Sequence, residues 1–205
     1  MPGFKVEGII LKRKNFGEAD RILTVFSLQR GKISVVGKGV RRITSRRAGN
    51  VELLNRVSLY LHQGKGMPVL TEAESLDTYP KLKANLTLST YAFHIIELTC
   101  KMTAENQENR ILYQHLVEVL NRLSINPRQI LIRAFEVKIL SNLGFVSFQA
   151  SNTKLLEELE TKSWNEIEKM EINQKQALEL ERVLRYHVER VIEGQLKSRK
   201  FLKKI

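Results

Sequence analysis

Alternating apolar and polar positions dominate the first part of the chain. Apolar runs recur in FKVEGIILKRK, DRILTVFSLQRGKISVVGKG, VELLNRVSLYLHQG and MPVLTEAESLD. The runs contain many β-branched residues and are separated by turns with Gly or Pro, which is typical of antiparallel strands. Gly31 lies in the turn QRGK, where a hairpin needs a residue that tolerates a positive φ. The pattern predicts five strands before residue 79.

Five short strands without helical periodicity predict a small closed sheet. A five-stranded Greek-key barrel of the oligonucleotide/oligosaccharide-binding (OB) type suits this length, and an SH3-like barrel is the alternative. After Tyr79-Pro80 the apolar positions change to a spacing of three and four residues, which predicts helices. We therefore expect an α+β chain, with a five-stranded OB-fold barrel at 1–78 followed by an all-α helical domain at 79–205.

Three signals mark the limits of the expected helices. Asn126-Pro127 predicts a helix start with Asn126 as the N-cap, before RQILIRAFEVKILSNLG. Gly144 stands at the end of that stretch, where a glycine often terminates a helix. The longest helix is expected from about Asn173 to Ile192.

The net charge of +12 is unevenly distributed. Residues 5–47 contain twelve Lys and Arg against three acids, and the last ten residues, LKSRKFLKKI, contain five against none. The segment GKGVRRITSRRAGN (residues 37–50) has four arginines and a lysine without any acid. Two concentrated positive regions favour a polyanionic partner, because neutralised phosphates release counterions. Nucleic acid is the preferred interpretation, ahead of an acidic protein, an anionic membrane or a role in solubility.

No catalytic motif assembles in the sequence. GKISVVGKG resembles a phosphate-binding P-loop, but it has five residues between Gly31 and Gly37 instead of four, and Gly39 follows Lys38 where Ser or Thr is required. The chain has two aspartates and scattered histidines, and Cys100 is its one cysteine, so neither two-metal catalysis nor a cysteine-based zinc site is expected. We expect a binding protein that is not an enzyme and uses no cofactor or metal.

One aromatic residue stands beside the first group of cations. Phe16 lies in the polar turn KNFGE, next to Lys12, Arg13 and Lys14. It could stack on an unpaired base, as aromatic residues on barrel faces do. The favoured interpretation is that Phe16 fills one end of the barrel.

The sequence also carries signals about its compartment. It has no run of 18 apolar residues, and the start MPGFKVEGII lacks the features of a signal peptide. A single cysteine excludes a disulfide framework. We expect a cytoplasmic protein without a membrane partner.

Three separated motifs are similar to one known family. GIILKRKNFGEADRILTVFSLQRGKISVVGKGVRR, RAFEVKILSNLGF and LKSRKFL occur in the order found in the bacterial recombination mediator family RecO. The resemblance implies an N-terminal OB barrel and a helical domain. It also implies binding of single- and double-stranded DNA, annealing of complementary strands, and a nucleoid-associated location. The implied protein partners are RecR, the C-terminal tail of single-strand-binding protein (SSB) and, indirectly, RecA, which is loaded onto SSB-coated DNA in repair and recombination.

The sequence departs from the family in one place. Many members carry a four-cysteine zinc module directly after the helix that ends here at Gly144. The corresponding stretch, FVSFQASNTK, contains no cysteine. We expect the module to be absent near residues 145–154, and no metal ligand is carried over.

The resemblance assigns roles to individual cations. Arginine and lysine suit binding without sequence preference, because they contact phosphate. Arg46 and Arg47, at the edge of a flexible loop, could instead be solvated charges without a ligand. LKSRKFL could instead be a helix that packs Leu196, Phe201 and Leu202 onto the body. The expected DNA contacts are Lys12, Arg13, Lys14, Lys38, Arg41, Arg42, Arg46, Arg47, Lys197, Arg199 and Lys200.

The SSB tail is acidic with an apolar end, so it requires an apolar slot flanked by cations. Arg133 and Lys138, on the helix RAFEVKIL, are the expected cations, although both could be ordinary exposed helix charges. The alternative to DNA binding is a non-enzymatic interaction protein whose basic surface docks acidic protein partners.

Overall fold

The computed structural model describes residues 3–148 and 154–198. The chain forms two compact units. The first, which we call the barrel unit, joins Met1–Tyr79 to Thr103–Tyr113. The second, the helical unit, joins Pro80–Met102 to Gln114–Ile205.

The barrel unit is built on a closed five-stranded sheet with the order β1-β2-β3-β5-β4. All pairs of neighbouring strands are antiparallel except β3 and β5, which pair in parallel at Val36 and Val69. This arrangement confirms the expected OB fold. The strands are β1 (Gly3–Phe16), β2 (Asp20–Ser27), β3 (Gly31–Gly37), β4 (Arg56–His62) and β5 (Val69–Asp77).

Aliphatic side chains from all five strands fill the barrel. In β3 every second residue is buried, so Ile33 and Val35 point inward while Ser34 between them is partly exposed. This is the two-residue period that the sequence shows. In β1 the register shifts between Ile10 and Lys12, which marks a bulge and ends the buried part of the strand.

The turn between β2 and β3 requires glycine for two reasons. Gly31 has φ +62°, in the left-handed region that other residues adopt at a cost. A side chain there would also overlap the backbone carbonyl of Gln107, which belongs to the segment Thr103–Tyr113 that packs on this end of β3. The hairpin glycine expected from the sequence is confirmed.

The helical unit is organised around one buried helix. Residues 130–140 of α4 are all buried, including three charged side chains. The helices in the described residues are α1 (Pro80–Ala84), α2 (Leu86–Met102), α3 (Arg110–Ile125), α4 (Gln129–Asn142), α5 (Lys154–Thr161), α6 (Trp164–Lys169) and α7 (Gln174–Val191).

The helix limits agree with the sequence in two cases and differ in one. Asn173 caps α7 through a capping box, and Gly144 follows α4 with φ +74°, so both predictions are confirmed. The predicted N-cap at Asn126 is wrong. The backbone N–H of Asn126 donates to the carbonyl of Arg122 at 2.8 Å and completes α3, while Arg128 is the N-cap of α4. Pro127 ends the preceding helix here, because the residue before a proline disfavours helical geometry.

Among the described residues, no helix is both long enough and apolar enough to cross a membrane.

Candidate nucleic-acid interface

The connection between β3 and β4 carries the densest positive charge. We call its residues 37–50 the basic loop. Val40, near its start, and Val51, just after its end, are both fully buried in the barrel core. The loop consists of consecutive turns fixed at both ends by apolar anchors, so its backbone is held against the barrel.

Hydrogen bonds tie the basic loop to two neighbouring elements. The N–H of Gly39 donates to the Asp20 carboxylate at 2.7 Å, and the N–H of Arg41 donates to the carbonyl of Ala19 at 2.9 Å. At the other end, the amide of Asn50 donates to the carbonyl of Ala73 in β5 at 2.8 Å. The loop is therefore anchored to the turn between β1 and β2 and to β5.

Arg47 is used inside the protein. Its guanidinium donates to the carbonyl of Leu70 at 2.7 Å and to the carbonyl of Lys38 at 2.9 Å. These bonds join the two halves of the loop to β5. Because the fork of donors is occupied by backbone acceptors, Arg47 is poorly placed to grip a phosphate.

Three other cations of the loop are exposed: Lys38, Arg42 and Arg46. Within the part of the chain that the structure describes, none of their side chains has an acidic partner or a hydrogen bond. Arg41 is also exposed and makes one long contact, 3.3 Å to the carbonyl of Gly17. The loop thus presents charge that protein atoms do not neutralise.

An open cavity of about 600 Å³ on the barrel unit is bordered by the three unpaired cations, Lys38, Arg42 and Arg46. Thr44, which is exposed, adds a hydroxyl group to the wall, and the one carboxylate in it, Asp20, is engaged by the N–H of Gly39. A concave surface with cations and a hydroxyl is suited to phosphate oxygens. Its lining residues are Asp20, Lys38, Gly39, Arg42, Thr44, Ser45, Arg46 and Arg47.

The cations at the end of β1 divide into two kinds. Lys12 and Lys14 are exposed and extend the positive surface. Arg13, which alternates with them, forms an ion pair with Glu52, and Arg21 approaches the same carboxylate at 3.3 Å. The charge of Arg13 is therefore largely balanced within the protein.

The interpretation of Phe16 as a plug for the barrel is wrong. Its side chain is 51% exposed at the end of β1. Gly17, which follows it, has φ +58° and is the residue whose carbonyl Arg41 contacts. Phe16 is accordingly available for stacking beside the basic loop.

Lys197, the one C-terminal cation within the described residues, belongs to a segment docked on α2. Glu97 accepts the backbone N–H groups of Lys197 and Ser198, both at 2.8 Å. Burial alone would raise the pKa of Glu97, but the hydrogen bonds from Ser198 and Lys197 outweigh it and lower that pKa. Leu196 is buried, whereas Lys197 is exposed.

Some of the predicted positions lie outside the described residues. These are Arg199 and Lys200, the packing residues Phe201 and Leu202, and positions 149–153 of the stretch where a zinc module is expected to be absent.

Arg133 and Lys138 are enclosed in the helical unit. Arg133 donates to the Glu136 carboxylate at 3.0 Å and lies 3.7 Å from that of Glu181. The amine of Lys138 donates to the carbonyls of Glu160 and Lys162, at 2.9 and 3.0 Å, and so caps the end of α5. Both cations hold the unit together, and their geometry gives no support to contact with an acidic tail.

Glu136 is the centre of a buried polar network on α4. Its second oxygen lies 2.8 Å from Nε2 of His94, whose Nδ1 lies 3.2 Å from the hydroxyl of Ser198. Burial would raise the pKa of Glu136, but Arg133 and His94 outweigh it and lower it to about 2. The carboxylate is ionised and internally satisfied, which is a structural role.

Among the described residues, no group of three or more His, Cys, Asp or Glu side chains could hold a metal ion.

The sequence-based expectation omitted one residue of this surface. Ile43 is fully exposed at the middle of the basic loop. The sequence could have indicated it, because Ile43 is the one large apolar residue in VRRITSRRAGN apart from Val40, which anchors the loop.

Comparison with known proteins finds one family. The family models described as "Recombination protein O N terminal" and "Recombination protein O C terminal" match residues 1–79 and 83–148. Proteins named DNA repair protein RecO are similar to the chain. That of Pelotomaculum thermopropionicum is 33% identical over 142 residues, which are 69% of this chain and 56% of the relative. That of Acetivibrio thermocellus is 34% identical over 152 residues, 73% of this chain and 61% of the relative.

The matched part of the chain thus spans less than two thirds of these curated relatives. The family models cover the whole barrel sheet, including the basic loop, and α4.

Proposed function

We propose that this chain, which belongs to the RecO family of DNA repair proteins, binds single- and double-stranded DNA through its barrel unit and anneals complementary strands. Binding would be without sequence preference, because the contacts available are to phosphate. The proposal requires neither a nucleotide nor a metal. The chain would act as a mediator of repair and recombination, not as an enzyme.

One observation carries this proposal: the free cations around the cavity of the basic loop. Lys38, Arg42 and Arg46 are exposed and have no acidic partner within the described residues, while the loop that holds them is fixed at both ends. Because the backbone of the loop is already fixed, only the exposed side chains must become ordered when they bind phosphate. Lys12 and Lys14 would extend the contact along β1.

Annealing adds a second requirement. Complementary strands repel each other through their phosphates, so an annealing protein must screen both while the base edges stay free to pair. Phosphate contacts of the kind proposed for the basic loop leave those edges free. A second basic region at Lys197, Arg199 and Lys200 would hold the other strand or the growing duplex.

Protein partners are proposed from the family alone. RecR would join the chain in loading RecA onto SSB-coated DNA, in the cytoplasm and at the nucleoid. Binding of the SSB tail would have to use cations other than Arg133 and Lys138, since both are buried and bonded internally.

The test is a salt series of binding to a labelled single-stranded oligonucleotide. A triple variant, Lys38→Ala with Arg42→Ala and Arg46→Ala, should bind more weakly. Its slope of log affinity against log salt should flatten by about 0.7 for each lost contact. The matched control removes three exposed lysines of the helical unit: Lys154→Ala, Lys169→Ala and Lys175→Ala. Equal slopes for the triple variant and the wild type would place the interface elsewhere.

Annealing is tested by mixing two complementary labelled oligonucleotides without ATP. The intact chain should accelerate duplex formation, and the triple variant of the basic loop should do so less. A chain truncated after Gln195 examines the C-terminal cations. If its annealing rate equals that of the intact chain while it remains folded, that segment serves only in packing. If the intact chain accelerates pairing at no salt concentration, the annealing proposal is wrong.

A further inference from the structure

Ile43 occupies a position that ordinary loop chemistry does not favour. The N–H of Ser45 donates to the carbonyl of Arg42 at 2.9 Å, which closes a four-residue turn with Ile43 and Thr44 at its corner. Corner positions usually hold Gly, Pro, Asn, Asp or Ser. Ile43 is instead a large β-branched residue, and its side chain is fully exposed.

The turn that carries Ile43 is held in place. A second bond, from the N–H of Arg42 to the carbonyl of Gly39 at 3.1 Å, adjoins it, and Val40 fixes the same stretch in the barrel core. A β-branched side chain is also restricted about its first torsion. Ile43 is therefore a stiff apolar projection on an anchored turn.

The surroundings of Ile43 indicate what it contacts. Arg42 precedes it in the turn and Arg46 follows three residues later, and both are exposed without an acidic partner in the described part of the chain. An apolar tip flanked by free cations matches a ligand with phosphates outside and flat apolar groups behind them. DNA has this arrangement, since its bases lie behind its backbone.

We propose that Ile43 is a wedge that contacts bases when the basic loop binds DNA. The inference rests on the proposed DNA binding and specifies how it occurs: cations grip the phosphates on either side while Ile43 inserts at a base step or packs on an unpaired base. Apolar wedges of this type unstack neighbouring bases. Unpaired or easily distorted DNA would be favoured, because unstacking it costs less.

An anionic membrane is the other polyanionic surface that cations and an apolar tip suit. Ile43 and the half-exposed Phe16 beside the loop supply little apolar area for insertion into lipid, whereas one isoleucine is sufficient to enter a base step. The basic loop has no second exposed large apolar side chain among its described residues. DNA is therefore the ligand that we assign.

The experiment uses the full-length chain and single-stranded and duplex oligonucleotides that carry 2-aminopurine, whose fluorescence rises when it unstacks. Ile43→Ala should weaken binding by roughly tenfold, an effect of removing most of one apolar side chain. The salt slope should be unchanged, because no phosphate contact is lost. The fluorescence rise should also disappear. Ile43→Leu should restore both the affinity and the fluorescence.

Two controls test whether the effects belong to Ile43. Ile125→Ala removes an equally large apolar side chain that is exposed at the end of α3, and it should alter neither quantity. Arg42→Ala should flatten the salt slope and keep the fluorescence rise at saturating protein. Since Ile43 is fully exposed, the thermal unfolding midpoint of Ile43→Ala should equal that of the wild type.

Three results would overturn the inference, and they are distinguishable. If Ile43→Ala matches the wild type in affinity and fluorescence, DNA binding stands and the wedge is wrong. If Ile43→Ala binds DNA like the wild type but no longer binds vesicles of anionic phospholipid, Ile43 contacts a membrane and not DNA. If the wild-type chain binds no DNA at any salt concentration, the proposed function fails and the wedge fails with it.

Discussion

Two groups of cations in this chain were expected to bind ligands, and the structure treats them oppositely. The basic loop of the barrel unit presents Lys38, Arg42 and Arg46 to solvent. Helix α4 of the helical unit buries Arg133 and Lys138 and satisfies both with protein acceptors. The number of positive charges in a segment is therefore a poor guide to the charge that is available.

The difference has two physical causes. Glu136 follows Arg133 by three residues, which places both side chains on one face of α4. The basic loop contains no acid between Gly37 and Asn50, so its cations have no local partner. In addition, α4 is the buried centre of its unit, where an unpaired charge is costly, whereas the loop lies at the surface.

The same contrast recurs between two adjacent arginines. Arg46 is exposed without a side-chain hydrogen bond in the described structure, while Arg47 donates to the carbonyls of Leu70 and Lys38. Identical chemistry thus has two roles one residue apart.

Removing Arg133 should cause the largest loss of unfolding free energy, without any change in the affinity for DNA. Arg133→Ala leaves the Glu136 carboxylate buried without its arginine partner, and breaking a buried pair in this way costs about 3–5 kcal/mol of unfolding free energy. Chemical denaturation measures it. DNA affinity should be unchanged wherever the variant is folded. The control is Arg185→Ala, which removes a surface i,i+4 pair with Glu181 and should cost less than about 1 kcal/mol. Equal costs for the two variants would contradict the structural role.

Acid should weaken the helical unit through the same carboxylate. The pKa of Glu136 is lowered from 4.5 to about 2 in the folded chain, so the unfolded chain binds this proton first as pH falls. The stabilisation is complete above the ordinary pKa of glutamate and is lost as pH falls from about 5 towards 2. Glu97, whose pKa is also lowered, acts in the same direction. Thermal unfolding followed by circular dichroism between pH 6 and 2.5 measures this loss.

Glu136→Gln provides the control for the acid effect. Because glutamine does not titrate, the variant should be less stable at neutral pH and should lose less stability towards pH 2.5. A wild-type unfolding midpoint that stayed constant over this range would show that Glu136 is not held ionised by its neighbours.

The fold was predictable because its signals are local. Alternating burial in β3, the hairpin glycine Gly31 and the cap of α7 at Asn173 each follow from a few neighbouring residues. The wrong N-cap at Asn126 shows the limit of such signals. Asn before Pro suits the end of one helix as well as the start of the next, and only packing decides between them.

The candidate site was predictable in position but not in detail. The excess of cations in the basic loop is visible in the sequence, whereas the acceptors that occupy Arg47 are backbone carbonyls of β5 and of the start of the loop. Backbone carbonyls have no sequence signature, and only the folded barrel brings these to Arg47. Burial of Lys138 likewise depends on α5, which follows α4 after an intervening connection.

Replacing Arg47 should lower the free energy of unfolding clearly and should change the affinity for DNA only slightly. Arg47→Ala removes two hydrogen bonds from a charged group to backbone carbonyls. A buried bond of this kind contributes about 1.5–3 kcal/mol. Because Arg47 is partly exposed, we expect the two bonds together to contribute roughly that amount to the free energy of unfolding. Chemical denaturation measures the loss. Arg47→Lys should recover only part of it, because an ammonium group cannot span both carbonyls as the guanidinium fork does.

Replacing Arg46 should have the smallest effect on the free energy of unfolding and a distinct effect on binding. Its side chain is exposed and makes no hydrogen bond within the described residues, so the unfolding free energy of Arg46→Ala should stay within about 0.5 kcal/mol of the wild type. The salt slope of single-stranded DNA binding should flatten by about 0.7, the loss of one phosphate contact. Arg46 and Arg47 are neighbours of identical charge, so each variant controls for the other. If both flatten the slope equally and neither changes stability, the hydrogen bonds of Arg47 do not separate structural from available charge in this loop.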